Sequence, residues 1–296
     1  MRTCLIVCYG YFGDHLHANA IAEYLINEGQ FDAVDYVIGF PQVYPFFERN
    51  PYVRNIFIDG VGPAPRVPSN ANTYDKVFQL GSIKRVVQPP VEMQLLCGVK
   101  NPSPIFYVNT NPELDKLVLE SYGEKTGLVI GIMSNWKERS FRFTREQYDR
   151  AVNIPDLGYG GARRDTDWIV QQLESKYNTI VVGTSSNVNQ FTVNHEEPSL
   201  DLTASILKYC DVFVGAEGGL ANLAFAVGTD TILTSDFIHQ LYGPKGVIQQ
   251  VPKPMCEPIH YGGPNTHINL DPYLTDEEVF LQIVQHLDNK RMEIGK

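Results

Sequence analysis

The residues best suited to chemistry lie in one turn, Gly215-Ala-Glu-Gly-Gly219. The turn follows a short apolar run at 212–214 and precedes residues 220–227, which are apolar on every side, as in a buried helix. Two glycines at a helix start let a phosphate approach free backbone N–H groups, and the helix dipole favours its negative charge. Gly218 and Gly219 therefore predict a phosphate site, although a tight turn beside a crowded helix is the simpler explanation.

A second candidate group follows the first apolar run of the chain, in the turn that holds Gly10, Gly13 and Asp14. A carboxylate at the carboxyl end of a central strand faces the ligand side of an open α/β sheet, where Asp14 could act as a general base. Asp14 is equally suited to be the N-cap of the next helix. His15 and His17 come next, and either of them, His17 in particular, is the next candidate for the base if Asp14 is only a cap.

Basic side chains that could pair with phosphates lie at Lys137 and Arg139, in a loop of the second half of the chain. Solvated surface charge is the alternative explanation for both residues. Arg163 and Arg164 follow a glycine-rich loop and are weaker candidates. The seven histidines show no spacing typical of metal ligands, so we expect no metal ion and no bound cofactor.

The composition limits the classes of protein. Of the 296 residues, 43% are hydrophobic, an ordinary share for globular proteins. The chain is long enough to form two hydrophobic cores. The formal net charge of −10 disfavours nucleic acid and anionic membranes as partners. Five scattered cysteines without a C-x-x-C pair indicate a reducing compartment, and no apolar run approaches a membrane span, so we expect a cytoplasmic protein.

Strands alternate with helices along most of the chain, which is typical of parallel doubly wound domains. In the first half, we expect strands at 3–9, 34–38, 53–59, 76–80 and 105–108, and helices at 15–28, 42–48, 89–96 and 112–121. In the second half, we expect strands at 128–133, 178–183, 212–214 and 231–234, with helices at 144–151, 166–176, 202–209, 220–227 and 279–287. Residues 243–269 contain five prolines and are predicted to be irregular. The order predicts two α/β domains, 1–122 and 123–296, and the last helix is expected to pack back on the first of them.

The order of these landmarks resembles glycosyltransferase family 9, the heptosyltransferase-like enzymes with a GT-B fold. Four segments carry the resemblance: Tyr11-Phe-Gly-Asp14, Asn50-Pro-Tyr-Val-Arg-Asn-Ile56, Tyr74-Asp-Lys-Val77, and the block from Ser199-Leu-Asp-Leu to Glu217-Gly-Gly-Leu-Ala-Asn222. The resemblance implies two Rossmann-like domains that face a cleft, with the acceptor on the first domain and a nucleotide-sugar donor on the second. It further implies inverting transfer without a metal ion, to a glycan or another hydroxyl acceptor, with Asp14 as the general base.

Three positions depart from the pattern of that family. Its Asp-Ser-Gly is replaced by Glu217-Gly218-Gly219, and its histidine is replaced by Asn222. These positions face the donor in the family, so Glu217 and Asn222 join the candidate donor contacts, and the donor sugar stays open. Asp165-Thr-Asp167 resembles the D-x-D motif of metal-dependent glycosyltransferases, but acidic residues before a helix also act as caps.

Other functions are compatible with the same residues. A sugar-nucleotide epimerase of the same fold would release a changed sugar without an acceptor. A non-catalytic protein would bind a nucleotide sugar or glycan without turnover. A modified DNA base as the acceptor is a further alternative, which the acidic composition disfavours and a salt-sensitive mobility shift would test.

Overall fold

The structure is a computed structural model, and it describes most of the chain. The described residues are 1–59, 65–80, 89–142, 144, 146, 162–183, 199–216, 218–234, 239–242, 248–251, 265–271 and 273–294. Most of the predicted helix at 144–151 and most of the glycine-rich loop before Arg163 lie outside these residues.

The first half is built on a parallel sheet of four strands. The strands are β1 (Thr3–Cys8), β2 (Ala33–Ile38), β3 (Val53–Ile58) and β4 (Lys76–Gln79), in the order β3-β2-β1-β4. The helices of this half are α1 (Phe12–Asn19), α2 (Ile21–Asn27), α3 (Tyr44–Glu48), α4 (Pro89–Leu96) and α5 (Pro112–Tyr122). Residues 4–8 of β1 are buried, as expected for a continuous apolar strand in the interior of a parallel sheet.

Two predictions for the first half are wrong. The helix predicted from His15, with Asp14 as its N-cap, begins three residues earlier at Phe12, and Tyr11 is the N-cap. The carbonyl of Tyr11 accepts the N–H groups of Asp14 and His15, so the first turn closes over Gly13. The run at 105–108 forms no strand and lies in neither sheet, and Val108 donates its N–H to the carbonyl of Ala226 at a helix end.

The second half is built on a parallel sheet of five strands. The strands are β5 (Val129–Met133), β8 (Asn178–Val182), β9 (Val212–Ala216), β10 (Asp230–Thr234) and β13 (His267–Leu270), in the order β13-β10-β9-β5-β8. Two small antiparallel pairs stand apart from it, β6 (Phe141–Arg142) with β7 (Ala162–Arg163), and β11 (His239–Tyr242) with β12 (Ile248–Val251). The helices are α6 (Trp136–Arg139), α7 (Thr166–Glu174), α8 (Leu200–Tyr209), α9 (Gly219–Ala226) and α10 (Asp276–Ile294).

The region 243–269 is more regular than predicted, since it contains β12 and the edge strand β13. The prolines that suggested an irregular segment do not lie within either strand. A capping box precedes α10, in which Thr275 and Glu278 exchange side-chain and backbone hydrogen bonds. Helix α10 packs on α7 of the second half, with the ring of Phe280 edge-on to Trp168, and its Lys290 pairs with Asp230. These contacts differ from the packing on the first half that we expected.

Four buried cysteine thiols lie in the two halves. Cys4, Cys8 and Cys97 are in the core of the first half, and Cys210 of the second half packs close to Gly131. Burial raises the pKa of Cys4 and of Cys210 to about 12. Cys4, Cys8 and Cys210 are therefore core residues.

A buried carboxylate joins two strands of the first sheet to the segment that precedes β4. Asp35 of β2 accepts two hydrogen bonds from the guanidinium of Arg54, at 2.9 and 2.6 Å, and one from the hydroxyl of Tyr74 at 2.6 Å. The backbone N–H of Asn55 donates to the same carboxylate. Burial acts to raise the pKa of Asp35, but these hydrogen bonds outweigh it and hold the pKa below its usual value.

The two halves contact each other along α8 and α9. Helix α8 packs on α5, and α9 packs on α1. Arg49, at the end of α3, makes a two-armed ion pair with Asp201 in the first turn of α8, and it also donates to the carbonyl of Asn109. At the other end of α8, Lys208 pairs with Asp115 of α5 at 2.7 Å. The division of the chain at residues 122 and 123 stays a prediction.

None of the helices in the described part of the chain is long and apolar enough to cross a membrane.

Candidate active site

The structure brings the two candidate groups of the sequence together, although they lie at opposite ends of the chain. The turn after β1 leads into α1, and the glycine turn after β9 leads into α9. The first turns of these helices touch: a Cβ added to Gly13 would lie 3.3 Å from the Cα of Gly219 and 2.6 Å from the side-chain nitrogen of Asn222. The junction therefore joins the carboxyl ends of one strand from each sheet, the edge where α/β proteins bind ligands.

Asp14 lies at this junction in a fixed conformation. Its carboxylate accepts the backbone N–H of Tyr11 at 2.8 Å, which satisfies a free donor of the helix start. Gly10 has a φ of +99°, and a Cβ there would lie 2.7 Å from the Cγ of Asp14. Glycine is thus required at position 10, because the Asp14 carboxylate folds back over it. The carboxylate is half-buried and borders the junction.

The two neighbouring histidines do not share this position. Both ring nitrogens of His15 are occupied: Nε2 accepts the N–H of Gly39 at 3.2 Å, which places the proton on Nδ1, facing the carbonyl of Tyr11 at 2.9 Å. Burial lowers the pKa of His15, so the ring is neutral at pH 7. His17 is 2% exposed, and its ring packs edge-on against Phe106, with centroids 4.6 Å apart. An acceptor hydroxyl cannot reach His17 in this conformation, which argues for a packing role.

The predicted phosphate helix has the geometry that its glycines indicated. Gly218 is the N-cap of α9 with a φ of +151°, a region that only glycine enters readily. The N–H groups of the first helical residues have no partner within the helix, because Asn222 is the first to bond back, to the carbonyl of Gly218. At the other end, Gly228 has a φ of +97°, the left-handed conformation in which glycine commonly ends a helix.

The contact between the helices was not foreseen from the sequence. The ring of Phe12 lies against Gly219 so closely that a Cβ on Gly219 would collide with it. Gly219 has no left-handed φ, so its lack of a side chain accommodates Phe12 rather than an unusual backbone. An aromatic residue between two glycines was visible in the sequence, but nothing local indicated its partner.

The loop that carries Lys137 is tied to the same edge of the second sheet. The hydroxyl of Thr234, at the end of β10, accepts the indole N–H of Trp136 at 2.7 Å and donates to the carbonyl of Gly215. It also lies 2.8 Å from the hydroxyl of Ser140, so three segments meet at one buried group. This network holds α6 beside the end of β9, close to the start of α9.

The basic and acidic candidates have partners away from the junction. Lys137 forms an ion pair with Asp167, and both side chains are exposed. Asp165 is the N-cap of α7, so the D-x-D pattern is accounted for by a cap and a surface ion pair. Arg164 is buried and holds the start of α10 through Asp276 and the carbonyl of Leu274. Glu217 and the side chain of Arg139 lie outside the described residues.

A separate cavity of about 190 Å³ lies at the opposite edge of the second sheet, between the starts of β9 and β10 and the end of α10. Asp230 and Lys290, which line it, pair with each other at 2.6 Å. The remaining acceptor of Asp230 is used by the N–H of Thr266. Within the described part of the chain, no group of three or more histidine, cysteine or acidic residues could hold a metal ion.

Two parallel α/β units that meet at the carboxyl ends of their strands define the class of the protein, which is a two-unit Rossmann-like fold. No family model and no curated protein matches the sequence. Solved structures do match it. The glycosyl transferase family 9 protein from Veillonella parvula superposes with a TM-score of 0.60 at 13% identity, over 97% of each chain.

Two further structures support the same fold. TibC, an iron-containing dodecameric heptosyltransferase of enterotoxigenic Escherichia coli solved with ADP-D-β-D-heptose, superposes with a TM-score of 0.58 at 12% identity, over 99% of this chain and 78% of TibC. ADP-heptose LPS heptosyltransferase II of E. coli superposes with a TM-score of 0.53 at 11% identity, over 98% and 99% of the two chains. The predicted α/β fold of the GT-B type and its resemblance to glycosyltransferase family 9 structures are therefore confirmed at the level of the fold.

Proposed function

We propose that the protein is a glycosyltransferase, which moves a sugar from a nucleoside-diphosphate sugar to a hydroxyl group of an acceptor. One observation carries the proposal: the turn that holds Asp14 meets the glycine start of α9. A transfer reaction needs a base for the acceptor hydroxyl and positive dipoles for the leaving diphosphate, and the junction offers both. The solved structures of the same fold include heptosyltransferases.

The residues divide the reaction between the two halves. The acceptor oxygen attacks the anomeric carbon of the donor, and the bond from that carbon to the diphosphate breaks, with its electron pair leaving on the diphosphate oxygen. Asp14 takes the proton of the acceptor hydroxyl, and a single displacement of this kind inverts the anomeric centre. The N–H groups at Gly218 and Gly219 stabilise the charge that develops on the diphosphate. We assign acceptor binding to residues 1–122 and donor binding to 123–296.

The remaining candidates have supporting roles in this proposal. Asn222 lies beside Gly13 at the junction and is placed to orient a donor group. Lys137 is exposed, so its ammonium can exchange Asp167 for a phosphate. Arg139 and Glu217 stay predictions from the sequence, as a phosphate contact and a ribose contact. We assign the base to Asp14 and not to His17, because the latter is buried against Phe106.

The proposal is tested by binding and turnover. Purified protein is titrated with ADP, UDP, GDP and CDP in a thermal-shift assay, and ADP-heptose is the first donor to try because two of the similar structures act on it or bind it. A ligand at 100 times its Kd adds about 2.7 kcal/mol to the free energy of unfolding, which raises Tm by several degrees. Absence of any shift at millimolar nucleotide would contradict the proposal.

Assays of sugar release, sugar transfer and DNA binding separate the alternatives. Release of a changed sugar without an acceptor would indicate an epimerase. Nucleotide-sugar binding without transfer or donor hydrolysis would indicate a binding protein, and a salt-sensitive mobility shift with DNA would indicate a nucleic acid acceptor.

We also infer that the transfer needs no metal ion, because the proposed diphosphate site is a helix N-terminus and Asp165 and Asp167 have other partners. Turnover of the donor is therefore expected to survive EDTA. Loss of turnover with the chelator, restored by Mn²⁺ or Mg²⁺, would make Asp165 and Asp167 candidate ligands instead.

A further inference from the structure

The contact between the two proposed functional elements depends on one aromatic side chain. Phe12 follows the N-cap of α1, and its ring fills the space that a side chain at position 219 would need. Beside it, Gly13 lies directly on Asn222, so no other side chain of α1 separates the two helix starts there. The ring of Phe12 is therefore the spacer that sets how closely the first turn of α1 approaches α9.

The same turn carries the proposed base. Phe12 and Asp14 are two residues apart in the first turn of α1, and the Asp14 carboxylate is held by the N–H of Tyr11. Because this turn is closed by the carbonyl of Tyr11, a shift of the Phe12 ring moves the carboxylate with it. The position of Phe12 on Gly219 thus fixes the distance between the base and the N–H groups of α9.

We propose that Phe12 is a positioning residue for the transfer reaction, acting through the contact of its ring with Gly219. The proposal rests on the function proposed above and gives Phe12 the role of setting a distance, not of taking the proton or binding the diphosphate. A misplacement of about 1 Å between reacting groups can lower a rate by roughly 100-fold, so a spacer of this kind contributes to turnover without contributing to binding.

The test is a split between binding and turnover. Phe12→Ala removes the ring and leaves every N–H group of α9 in place. We expect its affinity for the nucleoside diphosphate that binds the wild type best, among ADP, UDP, GDP and CDP, to change by less than about 2-fold, while kcat for the corresponding donor falls by roughly 10- to 100-fold. Phe12→Leu keeps a large apolar spacer and is expected to recover most of kcat.

A second variant tests the contact between the Phe12 ring and Gly219. Gly219→Ala places a methyl group where the Phe12 ring lies, so alone it should push the helices apart and lower kcat. In the Phe12→Ala background the space is free, so the same methyl should lower the free energy of unfolding by much less than it does alone. If the losses of the two single variants simply add in the double variant, the contact between the Phe12 ring and Gly219 does not have the proposed role.

A matched control removes another aromatic ring from the contact between the halves. Phe106 packs on Phe225 of α9, with centroids 5.7 Å apart, and on His17 of α1, away from the first turn of α9. Phe106→Ala should lower Tm at least as much as Phe12→Ala but leave kcat of the folded protein within about 3-fold of the wild type. An equal fall of kcat in both variants would mean that general loosening, not positioning, is the cause.

The outcomes separate this inference from the function on which it rests. If the wild type binds no nucleotide, the proposed function fails. If the wild type binds and turns over its donor but Phe12→Ala does so equally well, only the positioning role fails. Tighter nucleotide binding by Phe12→Ala would also overturn it, because the ring would then be an obstacle to the ligand and not a spacer.

Discussion

At the scale of single residues, Asp14 has two tasks that its environment allows us to separate. As a helix residue it accepts the N–H of Tyr11, and as the proposed base it takes a proton. An asparagine at this position can still accept the N–H through its amide oxygen, but it cannot bind the proton of an acceptor hydroxyl.

Asp14→Asn is therefore expected to fold with a Tm within a few degrees of the wild type and to keep its affinity for nucleoside diphosphates. Its kcat should fall by at least ~100-fold, the usual scale for loss of a general base. Steady-state kinetics of the purified variant, with calorimetric titration of the nucleotide, make the comparison. Near-normal turnover would show that Asp14 is only a helix residue.

Asp35 permits a prediction about pH. Its hydrogen bonds hold the carboxyl pKa below the usual value in the folded state, so the charged form stabilises the protein above the unfolded pKa of about 3.9. That stability is lost as the pH falls through the lower folded pKa.

The Tm of the wild type should exceed that of Asp35→Asn by a constant amount above about pH 5, and the difference should shrink as the pH falls below about 4. Glu174→Gln, at an exposed carboxylate, is the control and should show a much smaller difference. A gap between wild type and Asp35→Asn that stays constant down to pH 3 would contradict the direction of the shift.

At the scale of elements, Thr234 holds three segments at the edge where α9 begins. Thr234→Val keeps the volume but leaves the indole N–H of Trp136 and the hydroxyl of Ser140 without their described partner. Because unsatisfied buried donors cost about 1–3 kcal/mol each, we expect the free energy of unfolding to fall by about 2–4 kcal/mol.

Thr229→Val is the matched control for this prediction. Thr229 is equally buried, but its hydroxyl only donates to the carbonyl of Leu207, which keeps a second bond from the N–H of Cys210. Its free energy of unfolding should fall by only about 1 kcal/mol. Urea denaturation of both variants gives the comparison, and equal losses would show that Thr234 is no more than an ordinary hydroxyl.

The elements also show what the sequence could and could not predict. The glycine turn and the helix that ends at Gly228 were predictable, because local backbone geometry requires glycine there. The run at 105–108 was predicted as a strand, and its burial does alternate from one residue to the next. However, its N–H partner is Ala226 at the end of α9, a long-range choice that no local pattern encodes. The packing of the Phe12 ring on Gly219 was missed for the same reason.

At the scale of the whole molecule, an ion pair joins the two halves. Arg49 and Asp201 are both mostly buried, and the guanidinium fork meets both carboxylate oxygens. Two parallel charge-assisted bonds of this kind are stronger than an exposed pair.

A double-mutant cycle of Arg49→Ala and Asp201→Ala should give a coupling free energy of about 1–3 kcal/mol. Lys116 and Glu120, an exposed pair within α5, provide the control cycle and should give about 0.5 kcal/mol or less. Equal coupling in the two cycles would mean that the contact between the halves gains nothing from the ion pair.

The buried thiols described in the fold report on the unfolding of the protein over time. Thiols with raised pKa values carry almost no thiolate at pH 8, so an alkylating reagent can modify them only after the surrounding half unfolds. In a Cys256→Ser background, we expect Cys4, Cys8 and Cys97 to become labelled together and Cys210 to follow its own time course. Mass spectrometry of peptides taken during alkylation would then follow the unfolding of each half through its own thiols.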